Sequence, residues 1–324
     1  MVIDMLLELK NFNVYYNSNS GKVHAVRDVN LDLLENTSYG VVGESGSGKT
    51  TLFMALLRLL SKDTLVEGEV LYDGVDIMKL GEDEFRKYRW KDFAVVFQEA
   101  MNFLSPVHKI GKQLVSIYSA NGPSKNKKDV KEEILRSLHK VNLVDTVYNM
   151  YPHELSGGMM QRVAIASSIL LKPKLLIMDE ATTALDIITE GQILDEIKEL
   201  EDSIKMTRVM ITHDVSVVSS STERVIVMYG GLILEEGRVD EVFVSPKHPY
   251  TKLLLESYPK MNDKEKYLKS IKGSLPDLKE EYKSCVFYNR CPYSMPYCKE
   301  HQPKLTSHGD RKVACFLEEG VKDE

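Results

Sequence analysis

Eight residues, Gly43-Glu44-Ser45-Gly46-Ser47-Gly48-Lys49-Thr50, have the types and the order needed to hold a polyphosphate. Glycines at 43, 46 and 48 free the backbone for dihedrals that side chains forbid, so successive amide N–H groups can converge on an anion. Lys49 adds a point charge that can reach the β- and γ-phosphates. Thr50 adds a hydroxyl for Mg²⁺, with Ser45, Ser47 and Thr51 lining the same turn. An apolar run, Tyr39 to Val42, reads as a short buried strand ahead of the loop, and Leu52 to Leu57 continues as a helix whose N-terminus faces the phosphates. Strand, loop and helix in this order imply a nucleotide site.

A second pair of chemical groups follows the run Leu175-Leu176-Ile177-Met178. Four apolar residues in succession fit a strand buried on both faces. The carboxylates that follow, Asp179 and Glu180, emerge at its C-terminal edge, where α/β sheets bind ligands. With a phosphate loop in the same chain, Asp179 is a candidate Mg²⁺ residue beside Thr50. Glu180 is placed to orient a water in line with the γ-phosphate. A third segment, Leu155-Ser156-Gly157-Gly158-Met159-Met160-Gln161-Arg162, has an N-cap serine and two glycines before a helix, which makes a second anion-binding surface.

This third segment resembles the LSGGQ-type signature of ATP-binding cassette ATPases, and further residues match other marks of that family. Tyr16 resembles the aromatic that stacks on adenine and Gln98 the glutamine loop, a further Mg²⁺-side group. Ala184-Leu185-Asp186 resembles the D-loop and His213 the switch histidine. The resemblance covers about residues 5 to 255. It implies a P-loop cassette with a mostly parallel α/β core, an antiparallel β subdomain and a helical subdomain near 104–168. Each ATP is then clamped between the phosphate loop of one subunit and Ser156, Gly157 and Gly158 of another, with Glu180 and His213 catalytic. Two positions depart from the pattern: Ala181 stands where proline is usual, and Met160 where arginine or glutamine is usual.

Phe97 to Pro106, Tyr151-Pro152-His153-Glu154 and Lys247-His248-Pro249-Tyr250-Thr251 narrow the resemblance to the oligopeptide/dipeptide/nickel importer branch. Met159 and the run Thr182 to Asp186 resemble its D-type subunit. The branch implies a paralogous or identical ATPase partner, two transmembrane permease subunits met by Met101 to Tyr118, and an extracytoplasmic solute-binding protein. Its solutes include peptides, oligosaccharides and nickel. A soluble cassette ATPase acting on nucleic acid or ribosomes is the competing class, and neither a coiled-coil arm nor a basic stripe favours it.

All four cysteines, Cys285, Cys291, Cys298 and Cys315, fall in the tail, beyond a lysine-rich linker from Lys260 to Lys272. Their clustering argues for one shared ligand. Disulfides are disfavoured in a reducing cytosol, and the spacing alone leaves zinc and an iron–sulfur cluster open. Resemblance to the C-terminal cysteine motif of peptide-importer ATPases favours [4Fe-4S]. The expected organisation is a nucleotide-binding domain over 1–258 and a cysteine-rich extension over 259–324.

The elements that must position these groups are legible from periodicity. Leu7-Glu8-Leu9-Lys10 and Val29-Asn30-Leu31-Asp32-Leu33 alternate as half-exposed strands. From Asp129 the spacing turns helical, with Val130, Ile134, Leu138 and Val141 on one stripe, and Lys125 to Lys128 reads as a solvated helix entry. Strands are expected at Lys174 to Met178, Arg208 to Thr212 and Arg224 to Tyr229. A helix burying Ile193, Ile197, Leu200 and Ile204 separates the first two, which implies a largely parallel sheet. At 324 residues, with 42 basic and 48 acidic side chains and a net charge of −6, no global basic field recruits nucleic acid or anionic lipid. No apolar stretch approaches a spanning helix, and the N-terminus lacks a basic leader pattern. The expected location is the cytoplasmic face of the membrane, held by partners.

Overall fold

The computed structural model describes residues 4–18, 21–97, 103–182, 186–258, 271–279 and 281–320. Two compact units divide the chain. One contains Leu33–Ser38, Lys79–Ile211 and the N-terminal residues to Leu6; the other contains Leu7–Asp32, Tyr39–Met78 and the chain from Thr212 onward.

The second unit begins with β1 (Met5–Ser18) and β2 (Gly21–Leu34), then β3 (Ser38–Val42), α1 (Lys49–Leu56), β4 (Leu65–Tyr72) and β5 (Val75–Asp76). Strands β2-β1-β4-β5 form one four-stranded sheet, with β1 antiparallel to β4 and β4 to β5. The alternation read in the sequence is realised: Val29, Leu31 and Leu33 are buried while Asn30 is exposed. All five residues of β3 are buried, as the apolar run ahead of the loop requires.

The first unit carries α2 (Glu82–Phe85), β6 (Phe93–Val96), α3 (Ile110–Asn121), α4 (Lys127–His139), α5 (Gly157–Ile169), β7 (Leu175–Asp179), α6 (Ile187–Ile204) and β8 (Thr207–Ile211). Helix α4 starts where the Asn126 side chain accepts the Lys128 and Asp129 amides, each at 3.0 Å. Its stripe, Val130, Ile134 and Leu138, is buried, and Ser137 Oγ donates to Ala166 O at 2.6 Å to stitch it to α5. Lys125 pairs with Glu133 at 2.8 Å, in keeping with a helix entry. Strand β7 lies parallel between β6 and β8. With neighbours on both edges, Leu175 through Met178 are wholly buried, each side chain contributing about 1.5–3 kcal/mol of hydrophobic stabilisation. Ile193, Ile197 and Leu200 of α6 are buried as expected; Ile204, at the helix end, stays partly exposed.

The second unit resumes with α7 (Val215–Ser221), β9 (Arg224–Tyr229), β10 (Leu232–Arg238), α8 (Val239–Val244), α9 (Pro249–Glu256), α10 (Pro296–Glu300), β11 (Thr306–His308) and β12 (Arg311–Val313). Strand β3 runs parallel to β9, while β9–β10, β10–β12 and β11–β12 are antiparallel. The tail therefore extends the sheet of this unit. Its Val286, Phe287 and Ala314 enter the same core cluster as Val227, Tyr229, Tyr250 and Leu254. Strand pairing and aromatic packing thus join the tail to this unit. The Phe287 ring meets Tyr229 edge-on at 5.2 Å between centroids and Tyr250 at 5.4 Å.

Phe287→Ala empties a fully buried aromatic site, so it is expected to destabilise the protein by about 3–5 kcal/mol. Urea unfolding followed by far-UV circular dichroism reads the change; a loss below about 1 kcal/mol contradicts the packing described.

Candidate active site

The phosphate loop is built from three strained backbone positions. Gly43, Gly46 and Gly48 have φ of 150°, 80° and 98°. A Cβ on Gly43 would lie 2.1 Å from Met228 O, and one on Gly48 would lie 2.5 Å from Ala25 O, so neighbouring main chain excludes any side chain at either point. The loop is braced by Ser47, whose amide donates to Glu44 O at 3.1 Å and whose carbonyl accepts from the Gly231 amide at 3.0 Å. Lys49 is 7% exposed, and its ammonium donates to Gly43 O at 2.8 Å and Glu44 O at 2.9 Å, which sets the charge across the mouth of the loop. Ser45, Gly46 and Thr50 are exposed. No side chain caps α1 and no acid occupies its first turn, so its N-terminal partial charge favours an anion. Tyr16 Oη lies 3.2 Å from Thr51 Oγ1, bringing the expected adenine-stacking ring beside the first turn of α1.

His213 follows β8 and is exposed; its carbonyl accepts from Tyr258 Oη. The next residue, Asp214, caps α7 by accepting the Ser216 amide at 2.8 Å. The backbone around His213 is thus held at both its carbonyl and the following helix.

The remaining candidates belong to the other unit. Asp179 ends β7 and is 7% exposed; Glu180 follows with φ of 46°, its amide donating to Ile211 O at 2.8 Å. A non-glycine residue held in the left-handed region is uncommon, and such outliers concentrate at functional sites. Ser156 caps α5 by accepting the Met159 amide at 3.2 Å, with no acid in the first helical turn. Gly158 lies close against α6, since a Cβ would meet Thr189 Cγ2 at 3.0 Å and require that side chain to give. Asp186 caps α6, accepting the Thr189 amide at 3.0 Å and the Thr189 hydroxyl at 2.7 Å, bonds that hold its carboxyl below the usual range. Gly158 and Asp186 therefore meet at Thr189. Gln98 and Ala184-Leu185 lie outside the described residues.

Several groups around the loop escaped the sequence reading. The Lys247 to Thr251 motif, noted only as a family mark, forms a polar knot around the buried His248 and Tyr250. Glu235 accepts the Lys247 and His248 amides at 2.9 and 3.0 Å and pairs with Arg311 at 3.0 Å. His248 Nδ1 accepts the Tyr250 amide at 3.0 Å, and burial lowers its pKa to about 3, which keeps the ring neutral. Tyr250 Oη in turn accepts the Glu44 amide at 2.9 Å. Arg290 reaches the Glu44 carboxylate from the tail at 2.9 Å.

The four cysteines converge. Cys285, Cys291, Cys298 and Cys315 line one apolar cavity with Phe287, Pro303 and Phe316, and the Cys285 amide donates to Cys298 O at 2.8 Å. Burial, reinforced by the neighbouring thiols, pushes Cys285 up to about 12 and Cys315 to about 11, and raises Cys291. Among the described residues, no group of three or more His, Cys, Asp or Glu side chains is arranged to hold a single metal ion. No helix there is long and apolar enough to cross a membrane.

A Gly48→Ala chain must shift main chain at Ala25 or leave the left-handed conformation, at a cost of about 1–3 kcal/mol. Its affinity for Mg-ATP, titrated with a fluorescent analogue, is expected to fall roughly 5- to 150-fold; unchanged affinity contradicts the geometry.

The chain is similar to known proteins along nearly its whole length. The ABC transporter family profile matches residues 26–183, and that of the oligopeptide/dipeptide transporter C-terminal region matches residues 234–298. The dipeptide transport ATP-binding protein DppD of Caldanaerobacter subterraneus subsp. tengcongensis is 37% identical over 98% of this chain and 99% of its own. The oligopeptide transport ATP-binding protein OppD of Escherichia coli is 38% identical over 97% and 93%. Among solved structures, the dimeric cassette MJ0796 superposes with a TM-score of 0.65 at 29% identity, covering 72% of this chain and 99% of that one. A post-hydrolysis state of the same cassette, bound to ADP and Pi, gives a TM-score of 0.64. The chain belongs to the ABC transporter family of ATP-binding cassette proteins, in its oligopeptide/dipeptide transporter branch.

Proposed function

We propose that this protein is the ATP-hydrolysing subunit of an importer for di- or oligopeptides, acting at the cytoplasmic face of the membrane. The observation that carries this reading is the joining, in one chain, of a complete phosphate loop to the C-terminal region of peptide transporters. The amides of Gly43 to Thr50 and the Lys49 ammonium bind the polyphosphate, and Tyr16 supports the base. Thr50 and Asp179, with Gln98, are the oxygen donors for Mg²⁺, which when bound neutralises phosphate charge. Glu180 accepts a hydrogen bond from the attacking water and aligns it, while His213 bonds the γ-phosphate. Ser156, Gly157 and Gly158 act on the nucleotide of a second cassette, where their amides and helix dipole meet charge developing in the transition state. Asp186 organises the same junction. That second cassette is a paralogue or a second copy, and two permease subunits and a binding protein complete the importer.

The cysteine tail is part of this proposal. Partial burial raises the pKa values of Cys285, Cys291 and Cys315, so these thiols become thiolates together only beside a compensating cationic centre, which fits an iron–sulfur cluster. The gathering of every cysteine of the chain in a tail that resembles the cysteine motif of peptide-importer ATPases supports [4Fe-4S] over zinc. Bound, the group would crosslink the tail.

In the complex reconstituted with its permease subunits and binding protein, peptide is expected to stimulate ATP hydrolysis. Glu180→Gln is expected to retain Mg-ATP binding while lowering turnover at least 100-fold; peptide-independent hydrolysis, or normal turnover in that variant, refutes the reading. Anaerobically purified protein is expected to be brown and to carry about four irons per chain. A colourless preparation with stoichiometric zinc refutes the cluster and leaves the ATPase proposal standing.

A further inference from the structure

Glu44, inside the phosphate loop, is gripped by the cysteine tail. Its carboxylate receives Arg290 Nη1 at 2.9 and 3.2 Å, and its amide donates to Tyr250 Oη at 2.9 Å. The Arg290 side chain is 5% exposed and every arm of it is used. Nη1 also donates to Tyr229 Oη at 3.1 Å, Nε to Lys272 O at 2.9 Å and Nη2 to Ile271 O at 3.2 Å. Gly273, at φ of 88°, lets the backbone close around it: a Cβ there would stand 3.3 Å from Arg290 Cγ.

Arg290 is also fixed by the cysteines. It ends the short 3₁₀ turn Tyr288–Arg290, between Cys285 and Cys291. The turn is bonded at one end by the Tyr288 amide to Cys285 O at 2.9 Å, and at the other by the Cys291 amide to Tyr288 O at 3.3 Å. The Cys285 amide reaches Cys298 O. Any rearrangement of the thiols, by metal, reagent or oxidation, therefore turns the segment that carries the guanidinium. A buried guanidinium whose Nη1 meets both oxygens of a half-buried carboxylate, and whose other nitrogens are tied to main-chain carbonyls, transmits such a shift, because leaving the guanidinium unpaired in that setting is costly.

We propose that Arg290 is a positioning residue for nucleotide binding, one that couples the state of the four-cysteine tail to the phosphate loop through Glu44. The coupling is reciprocal: a tail that favours one loop geometry is itself favoured by the nucleotide that selects that geometry. The inference requires only that the loop binds nucleotide. It holds whichever metal the cysteines take and whichever solute the importer carries.

The test is a double-mutant cycle on Mg-ATP affinity, with thiol reactivity as an independent readout. Arg290→Gln and Glu44→Gln are each expected to weaken binding about 5- to 20-fold, with the double variant no weaker than the poorer single variant. Arg290→Lys, which keeps the charge and loses the Nε and Nη2 bonds to Lys272 O and Ile271 O, is expected to recover part of the affinity. Because every cysteine of the chain lies in the tail, total reaction with a maleimide reports on the tail alone. Saturating Mg-ATP is expected to slow that reaction several-fold in the full-length wild-type protein and to have no effect in Arg290→Gln. Losses that multiply in the double variant, or ATP protection that survives Arg290→Gln, overturn the proposal. If Arg290→Gln does not fold, Glu44→Gln carries the thiol measurement: lost protection supports the coupling and retained protection overturns it.

Discussion

A loop that turns its amide groups toward one point cannot also carry side chains on its inner wall, and this constraint governs the protein. At Gly43 and Gly48 the space for a Cβ is filled by the carbonyls of Met228 and Ala25. Those carbonyls belong to the end of β9 and to β2, so the anion site is shaped by strands remote in sequence. Backbone polarity that the loop cannot satisfy alone is satisfied by neighbours: Gly231 bonds the Ser47 carbonyl, Tyr250 the Glu44 amide, and Lys49 the carbonyls of Gly43 and Glu44. The sheet and the tail core exist, in functional terms, to hold that backbone still.

The carboxylates after β7 obey a related rule. Four fully buried apolar residues fix the strand, and parallel neighbours on both sides leave Asp179 and Glu180 at its C-terminal end. Glu180 then pays a conformational penalty, at φ of 46°, that an asparagine or glycine would largely avoid. The carboxylate is retained at a strained point, which fits a chemical role better than a packing role.

How much of this could be read from the chain depended on range. The loop, the buried strand before the Asp-Glu pair, the capping serine of α5 and the stripe Val130, Ile134 and Leu138 are local patterns, and local periodicity reports them faithfully. The junction of Gly158 and Asp186 at Thr189, the Tyr16–Thr51 contact and the grip of Tyr250 and Arg290 on Glu44 are not local. The last of these spans 246 positions in the chain, and no composition or spacing encodes it. His248 shows the same limit in reverse: its motif identified a branch of the family, while its physical task, capping α9 from a fully buried site, appeared only with the folded core. The run of lysines before the tail, mostly outside the described residues, says nothing about whether the following strands return to β10.

That return has a consequence for the outermost strand. Strand β12 occupies the side of β10 away from β9, and β11 beyond it is only three residues long, with Ser307 and His308 exposed. A short polar border of this kind offers little template for another chain, whereas β10, seven residues long with five of them buried, would offer a good one. Removing the tail, and its four thiols with it, would thus uncover an adhesive ladder, so the extension also guards the molecule against self-association.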